Sequence, residues 1–349
     1  MVVPVKSETG KPLMPTSPDR ARRLVRKGLA TPFWSIGIFC IRMNSEMPNA
    51  QVQRVVAGVD PGSKKEGITI LSEKRTFLNM QLDAVTHVKG ALAGRREARQ
   101  ARRYRGTPCR KCRRLNRPKK TRILPSSRAR WGLKLNVLAR LRLMYPIDTL
   151  IVEDVRAKKK VGGRAWNRSF SYVEIGKNWF YTEIRRSGLT LLTKRGYETK
   201  ALRDSLGFIK SSNKLCNRWE AHCVDSWVLA SSVFLGTPCL STEMIMLHPI
   251  RFCRRQLHMY NPAKGGIRKP YGGTRSIGIR RGSLVLSQKF GLCTVGGTYR
   301  GIRLSLHCYS SGERMCRRAK ISEVKFLTYN RWWVSHATTS RNFNKQKEG

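Results

Sequence analysis

Three apolar or β-prone runs separated by short polar stretches predict a β-meander in the first quarter of the chain. The apolar run Val55 to Val59 ends at Asp60, and the Pro-Gly pair that follows indicates a strand that meets a tight turn. Gly67 to Leu71 and Phe77 to Val85 follow at hairpin spacing and are rich in residues that favour strands. Residues 55 to 85 are therefore predicted to form three strands, with an acidic residue at the end of the first.

A second apolar run also ends in carboxylates. Residues Thr149 to Val152 lead directly into Glu153 and Asp154, which predicts another strand with an acidic end, and Leu189 to Thr193 is the next predicted strand. Helical patterns lie between and after these strands, at Lys89–Arg105, Arg128–Met144, Tyr172–Ser187 and Arg218–Phe234. This mixture of strands and helices predicts an α/β fold around one good-sized core, with smaller modules attached.

Shifts in composition divide the chain into five stretches. A small module is predicted at residues 1–50, because a stretch with Ser, Asn and Pro precedes the first core strand. After Gly236 the chain becomes rich in Gly, Arg and Ser with short β-prone runs, which predicts a basic β-rich domain at residues 237–349. The middle is divided into a first core segment at 51–88, an arginine-rich helix and basic linker at 89–122, and the remaining core segments at 123–236.

Charge then narrows the function to binding of a polyanion. Lys and Arg total 70 against 21 Asp and Glu, so the net charge is +49 and the pI about 11.1. Such an excess favours nucleic acid, because each phosphate contact releases condensed counterions. A membrane is not expected as a partner, since the longest largely apolar run, Phe33 to Ile41, is too short to span a bilayer. The first thirty residues lack the apolar core of a signal peptide, and we expect a cytoplasmic location.

The predicted helix after the meander carries most of its charge as arginine. Glu97 is its one acidic residue, whereas a solvated surface helix normally mixes both signs. The arginines predict contact with RNA or DNA and are Arg95, Arg96, Arg99, Arg102, Arg103 and Arg105. A basic run that closely follows the second acidic strand end, Lys158, Lys159 and Lys160, is a further candidate for phosphate contact, or simply a solvated charge run.

Three acids stand out by position: Asp60 and Glu153 at strand ends, and Asp225 one helical turn after His222. The spacing of i to i+3 places His222 and Asp225 on one helix face, so that both can face one cation. Phosphodiester cleavage needs an activated water and neutralisation of phosphate charge, which two divalent cations about 3.5–4 Å apart supply. Each acid alone is more often a turn cap or an ion-pair partner, and only the ordered set favours a metal centre.

The same residues carry a family resemblance. Residues 56–62 (Val-Ala-Gly-Val-Asp-Pro-Gly) resemble the first RuvC motif, Ile151 to Asp154 the second and Glu220 to Asp225 the third, in the same order. The arginine-rich segment resembles a bridge helix, and Pro12 to Pro15 (Pro-Leu-Met-Pro) matches the motif that names the PLMP domain. No His-Asn-His arrangement lies between the second and third motifs. The chain therefore resembles the IsrB group, the relatives of IscB that lack an HNH nuclease.

This resemblance implies a fold, an activity and partners. The fold would be an RNase H-like (RuvC) core split by the bridge helix, with a PLMP module before it and a domain that reads a target-adjacent motif after it. The activity would be that of an RNA-guided nickase with two Mg²⁺ or Mn²⁺ ions, which cuts the displaced strand of double-stranded DNA. Asp60 would bridge both ions, Glu153 and Asp225 would bind one each, and His222 would act as a ligand or in proton transfer. A long guide RNA would bind a monomeric protein in the bacterial cytoplasm, at the nucleoid.

Other interpretations remain open from the residues alone. A non-catalytic RNA-binding scaffold explains the charge and the arginine helix, and a guide-independent RuvC-like resolvase explains the three acids. Zinc is not expected: Cys109 and Cys112 form a single Cys-x-x-Cys, which only a distant pair such as Cys308 and Cys316 could complete. Four tryptophans are candidates for base stacking but are expected more often to anchor a core, namely Trp166, Trp179, Trp332 and Trp333.

Overall fold

The first fifty residues fold around their own small core. A computed structural model describes residues 2–46, 50–106, 123–157, 171–249, 275–309, 311–329 and 332–336, together with four residue pairs between 256 and 272. Ser17 caps the first helix by accepting a hydrogen bond from the Arg20 amide, and Pro18 opens it. The elements, in a sheet of order β2-β1-β4-β3, are β1 (Val3–Lys6), β2 (Pro12–Thr16), α1 (Pro18–Arg26), β3 (Ala30–Ser35) and β4 (Ile38–Met43).

The central unit follows the predicted order of strands and helices. Its elements are β5 (Val55–Asp60), β6 (Lys65–Ser72), β7 (Thr76–Asp83), α2 (Val88–Tyr104), α3 (Pro125–Arg142), β8 (Thr149–Glu153), α4 (Tyr172–Arg186), β9 (Thr190–Lys194), α5 (Gly196–Ser205), α6 (Trp219–Ser231) and β10 (Ile245–Pro249). The meander and the four predicted helices are confirmed to within a few residues at each end. The short helix α5 has no counterpart in the sequence-based prediction.

The strand order of the central sheet defines the fold class. Strands β5, β6 and β7 form an antiparallel meander, and β8 and β9 continue from the other side of β5 in parallel, which gives the order β7-β6-β5-β8-β9. This is the RNase H-like arrangement, and the predicted fold class is confirmed. Strand β5 is buried at every position and reads as a nearly continuous apolar run, as a strand covered on both faces should.

Helices cover both faces of this sheet. Val55, Ala57 and Val59 of β5 belong to the large core shared with α3 and α4, whereas Val56 packs with α6 on the opposite face. Gly58 also faces α6, and a Cβ at this position would collide with the Ser226 carbonyl oxygen. The glycine therefore permits the close approach that fixes α6 against β5.

The last third of the chain forms its own sheet and also extends the central one. The remaining elements are β11 (Gln256–Leu257), β12 (Tyr260–Asn261), β13 (Gly266–Ile267), β14 (Tyr271–Gly272), β15 (Arg275–Ser276), β16 (Ile279–Arg280), β17 (Leu284–Ser287), β18 (Gly291–Tyr299), β19 (Arg303–Cys308), β20 (Arg314–Ala319), a 3₁₀ turn (Ile321–Glu323), β21 (Val324–Thr328) and β22 (Trp332–His336). A five-stranded antiparallel sheet has the order β20-β19-β18-β17-β21, and the predicted β-rich character is therefore present.

Residues after the boundary predicted at 236 form a small core of their own and also contribute two strands to the central sheet. Strand β10 pairs in parallel with β7, and β22 pairs antiparallel with β10, so both strands belong to the central sheet. Leu284, Tyr309 and Val334 are buried in the main core together with residues of β5. A shift in composition marks a change in surface residues. It does not predict these strand pairings, because they join segments far apart in sequence.

Candidate metal centre

The sheet brings the two strand-end acids together. Asp60 is the last residue of β5 and Glu153 the last residue of β8. Because these strands are parallel neighbours with Val59 opposite Val152, their carboxyl ends lie side by side. Asp225 reaches the same place from the second turn of α6, which the glycines of β5 and β6 allow to lie close to the sheet.

One carboxylate oxygen from each of Asp60, Glu153 and Asp225 lies within 4.8 Å of the other two. Among the residues that the structure describes, this is the one group of three or more potential ligands at such distances. The three acids selected from the sequence therefore converge. Aspartate and glutamate oxygens are the donors that Mg²⁺ and Mn²⁺ prefer, so the donor set fits a divalent metal of this kind.

Burial and mutual repulsion make the centre electrostatically costly without a cation. Asp60 is 8% exposed and Asp225 3%. Burial raises the pKa of Asp60; the charge of Lys210 acts in the opposite direction, and that of Asp225 raises the pKa further. Burial, followed by the charges of Asp60 and Asp225, raises the pKa of Glu153 to about 7. Like charges this close ionise together only when cations lie among them.

Two basic residues partly neutralise the negative charge of the three carboxylates. The Lys210 ammonium lies 3.5 Å from Asp60 Oδ2 and donates a hydrogen bond to Asp225 Oδ2. Arg203, on α5, donates from Nη1 to the other oxygen, Asp225 Oδ1, at 2.6 Å. Neither residue is predicted from the sequence, because in a chain with 70 Lys and Arg a single basic residue carries no local signal.

His222 is buried next to the centre but does not belong to the group of three carboxylates. Its Nε2 donates a hydrogen bond to the Lys214 carbonyl oxygen at 2.9 Å, so Nδ1 is the ring nitrogen that this bond leaves available. The His222 charge lowers the pKa of Asp60, which is the direction expected of a nearby cationic ring. Its role as a ligand or in proton transfer stays a prediction.

Asp154 has a different environment, although it adjoins Glu153. Its Oδ1 accepts a hydrogen bond from Lys177 at 2.6 Å, and its Oδ2 accepts one from Arg156 at 3.2 Å. Burial alone would raise the pKa of Asp154, but the bonds from Lys177 and Arg156 lower it overall. Asp154 thus ties the end of β8 to α4, and the neighbouring Glu153 is the one that faces Asp60.

The arginine-rich helix α2 presents its charge to solvent. Among its described side chains none is buried; those of Arg95, Arg96, Arg99 and Arg103 are exposed, as is that of Arg105, which follows the helix. The side chain of Arg102 lies outside the described residues. So do other predicted contact or zinc residues, namely Lys158, Lys159, Lys160, Cys109, Cys112 and Trp166.

The tryptophans predicted as core anchors or stacking platforms take structural positions. Trp179 and Trp332 pack at the edge of the main core. Trp333 stacks on His248 with ring centroids 4.6 Å apart, and its indole nitrogen donates to the Tyr309 carbonyl oxygen at 3.0 Å.

Across the described part of the chain, no helix combines the length and apolarity needed to cross a membrane.

Comparison with protein families finds one match, in the first half of the chain. A family model described as "RRXRR protein" matches residues 3–164, a stretch that contains Asp60, α2 and Glu153 and ends before Asp225. No curated protein matches the chain. The chain thus resembles the RRXRR family over somewhat less than half of its length.

Solved structures similar to this chain include Holliday junction resolvases. RuvC of Thermus thermophilus in complex with a Holliday junction substrate is 15% identical, with a TM-score of 0.28, over 51% of this chain and 90% of that chain. A second structure of Thermus thermophilus RuvC is 14% identical, with a TM-score of 0.27, over 50% and 90%. The yeast mitochondrial Holliday junction resolvase is 12% identical, with a TM-score of 0.26, over 61% and 82%. With identities and TM-scores this low, the three structures carry no argument about this chain, and its fold class rests on the strand order of the central sheet.

Proposed function

We propose that this protein is a metal-dependent DNA endonuclease that binds a long guide RNA and nicks the displaced strand of its target. The observation that carries the nuclease part is the convergence of Asp60, Glu153 and Asp225 at one edge of an RNase H-like sheet. A turn cap or a surface ion pair would explain each acid alone, but neither requires three carboxylates, two of them buried, to meet. A divalent cation would neutralise their repulsion.

The residues of the centre would have different roles in metal binding, orientation and proton transfer. Asp60, central in the group, would hold both ions, while Glu153 and Asp225 would hold one each. Bound Mg²⁺ or Mn²⁺ supplies an activated water and charge neutralisation at the scissile phosphate. Arg203 fixes the orientation of Asp225 through Oδ1 and does not contact Oδ2, which binds Lys210. With Nε2 held by the Lys214 carbonyl, His222 would use Nδ1 to accept a proton in the reaction.

Guidance by RNA is supported by charge and by helix α2. The net charge of +49 favours a polyanion as a permanent partner, and the exposed arginines of α2 have no buried face that would explain them as core residues. The match to the RRXRR family covers the same region. We expect the guide RNA to pair with the target strand, and the protein to hold the backbone of the heteroduplex.

Recognition of a short target-adjacent motif is assigned to residues 237–349. Three arginines of the five-stranded sheet surround Tyr299: the guanidinium carbons of Arg318, Arg317 and Arg300 lie 4.6, 5.0 and 5.5 Å from the ring centroid. Stacked guanidinium groups of this kind can bind phosphate or guanine edges while the ring supports them. This surface supports the assignment of DNA contact to this part of the chain.

Cleavage by the purified complex with its RNA tests this function. We expect the native complex to convert supercoiled target plasmid into open circles in the presence of Mg²⁺, and Asp60→Asn to reduce this rate by at least about a thousandfold, because the shared ligand charge is lost. Asp19→Asn, at an exposed position on α1, removes the same charge and should leave the rate unchanged.

The outcomes separate the alternatives. Cleavage of branched DNA without any bound RNA would identify a guide-independent resolvase and overturn RNA guidance. A stoichiometric RNA with no metal-dependent cleavage under any condition would identify a ribonucleoprotein scaffold and overturn the nuclease assignment. Linear product from both strands would contradict nicking.

A further inference from the structure

The Lys210 ammonium occupies the space that a cation bridging Asp60 and Asp225 would use. It contacts Oδ2 of both carboxylates, so the same ammonium group lies between Asp60 and Asp225. An ammonium group and a divalent ion cannot share the same pair of oxygens, because their charges repel at such distances. Binding of metal at this position therefore requires Lys210 to move.

Lys210 is placed so that it can leave. It lies in the segment between α5 and α6, which has no helix or strand from residue 208 to 218, and its side chain is 29% exposed. The backbone of this segment is tied to α6 where the Ser211 amide donates to the Glu220 carbonyl at 3.0 Å. The long side chain can thus turn towards solvent while the backbone stays in place.

Arg203 provides the contrast. It projects from a regular helix, its side chain is 14% exposed, and it binds Oδ1 of Asp225, the oxygen that Lys210 does not contact. It also lies 3.9 Å from Asp204. A metal ion at the Oδ2 oxygens would not compete with this bond, so Arg203 can keep Asp225 oriented in both situations.

We propose that Lys210 is an exchangeable internal cation of the centre: it neutralises Asp60 and Asp225 until a divalent ion displaces it, and in this way it sets the metal concentration at which the centre assembles. The proposal rests on the proposed metal centre and adds a regulatory residue to it. Loss of a competing charge-assisted hydrogen bond should strengthen metal binding by about tenfold or more.

Direct binding of Mn²⁺ to the full-length protein, freed of nucleic acid, tests the proposal without a cleavage assay. Free Mn²⁺ is measured by electron paramagnetic resonance, and sites that persist in Asp60→Asn are subtracted. We expect Lys210→Met to bind Mn²⁺ about tenfold more tightly than the wild type, and Lys210→Arg, which keeps the charge, to stay close to the wild type. The matched control is Lys200→Met, which removes one exposed charge from α5.

Thermal unfolding with and without Mn²⁺ gives a second readout, because a more tightly bound ligand stabilises the folded state more at equal concentration. Unchanged or weaker binding in Lys210→Met would overturn the proposal, as would an equal gain in Lys200→Met, which would indicate a general effect of net charge. Specific binding by the wild type without a gain in Lys210→Met would overturn only the role of Lys210. Absence of specific binding in the wild type and in Lys210→Met alike would overturn the proposed metal centre as well.

Discussion

A further buried carboxylate, Glu66, lies on β6, the strand next to the one that ends at Asp60. Its Oε1 accepts a hydrogen bond from the Lys134 ammonium at 2.7 Å, and the two side chains are 1% and 2% exposed. Lys134 also lies 4.2 Å from the centroid of the Trp131 ring. Burial raises the pKa of Glu66 and the charge of Lys134 opposes that rise. This pair links α3 to the strand next to Asp60, and its integrity determines how firmly the two pack.

Substitution of one member of this pair should be much worse than substitution of both. Lys134→Met leaves Glu66 without its partner in the core, and the expected loss is about 3–5 kcal/mol of unfolding free energy. The double variant Lys134→Met/Glu66→Gln removes both charges and should recover most of that loss. Urea unfolding measures both values. A double variant as unstable as the single one would show that packing of Lys134, rather than charge, stabilises this site.

The sequence predicted the acids of the centre but not the groups around them. Asp60 and Glu153 were found because each ends an apolar run, and parallel neighbouring strands then bring their ends together. Lys210 was not found, because its contact with Asp60 joins positions 150 residues apart and depends on how the segment before α6 folds back over the sheet. Local patterns report which side chain ends a strand, whereas counterions depend on tertiary structure.

At the scale of elements, helix α2 is unusual because nothing holds it through an apolar face. No described side chain of the helix is buried, and those from residue 92 onwards are all exposed. A helix of seventeen residues gains most of its stability in proteins from tertiary packing, which is small here. Contact with a polyanion would supply the stability that tertiary packing does not give this helix. We therefore expect the arginines to contribute far more to binding than to folding.

Replacement of Arg95, Arg99 and Arg103 by glutamine tests this division. We expect the unfolding free energy of the protein to change by less than about 0.5 kcal/mol, since the side chains are exposed. RNA affinity should fall, and the slope of log affinity against log salt should become shallower by about 0.7–0.9 for each lost phosphate contact. Binding measured across a salt series gives both values.

The matched control removes three exposed arginines of α1, at positions 22, 23 and 26. If charge alone attracts RNA, both triple variants should lose the same affinity and slope, and α2 would have no special role. A larger loss for the α2 variant supports its assignment as a nucleic-acid contact.

Elements with strong local patterns were predicted well, and those that depend on distant pairing were not. The meander of β5, β6 and β7 consists of apolar, β-prone runs at hairpin spacing, so its strands were located within a few residues. The strands β10 and β22 are about 85 residues apart and pair with each other at the edge of the central sheet. Neither strand carries a sign of its partner, and the region was therefore assigned to a separate domain.

At the scale of the whole molecule, one contact joins the first module, the last sheet and the main core. The Tyr309 hydroxyl donates a hydrogen bond to the Gly37 carbonyl oxygen, and its ring meets Trp34 edge-on with centroids 6.3 Å apart. Ile36, Ile38 and Val334 are buried in the same core as β5. The N-terminal module is therefore expected to unfold together with the central sheet, although it has a small core of its own.

Gly37→Ala tests this coupling, because Gly37 has a φ of +78° and a Cβ there would collide with the Tyr309 hydroxyl and a Val334 methyl group. Gly28→Ala is the matched control: its φ is +68°, but a Cβ there meets nothing within 4 Å. Both variants incur the strain of a left-handed alanine, about 1 kcal/mol, and only Gly37→Ala should lose a further ~1–3 kcal/mol through overpacking. We expect tryptophan fluorescence and far-ultraviolet circular dichroism to show one coincident transition at a lower temperature in Gly37→Ala. An early, separate transition would mean that the module folds independently of the sheet that carries Asp60.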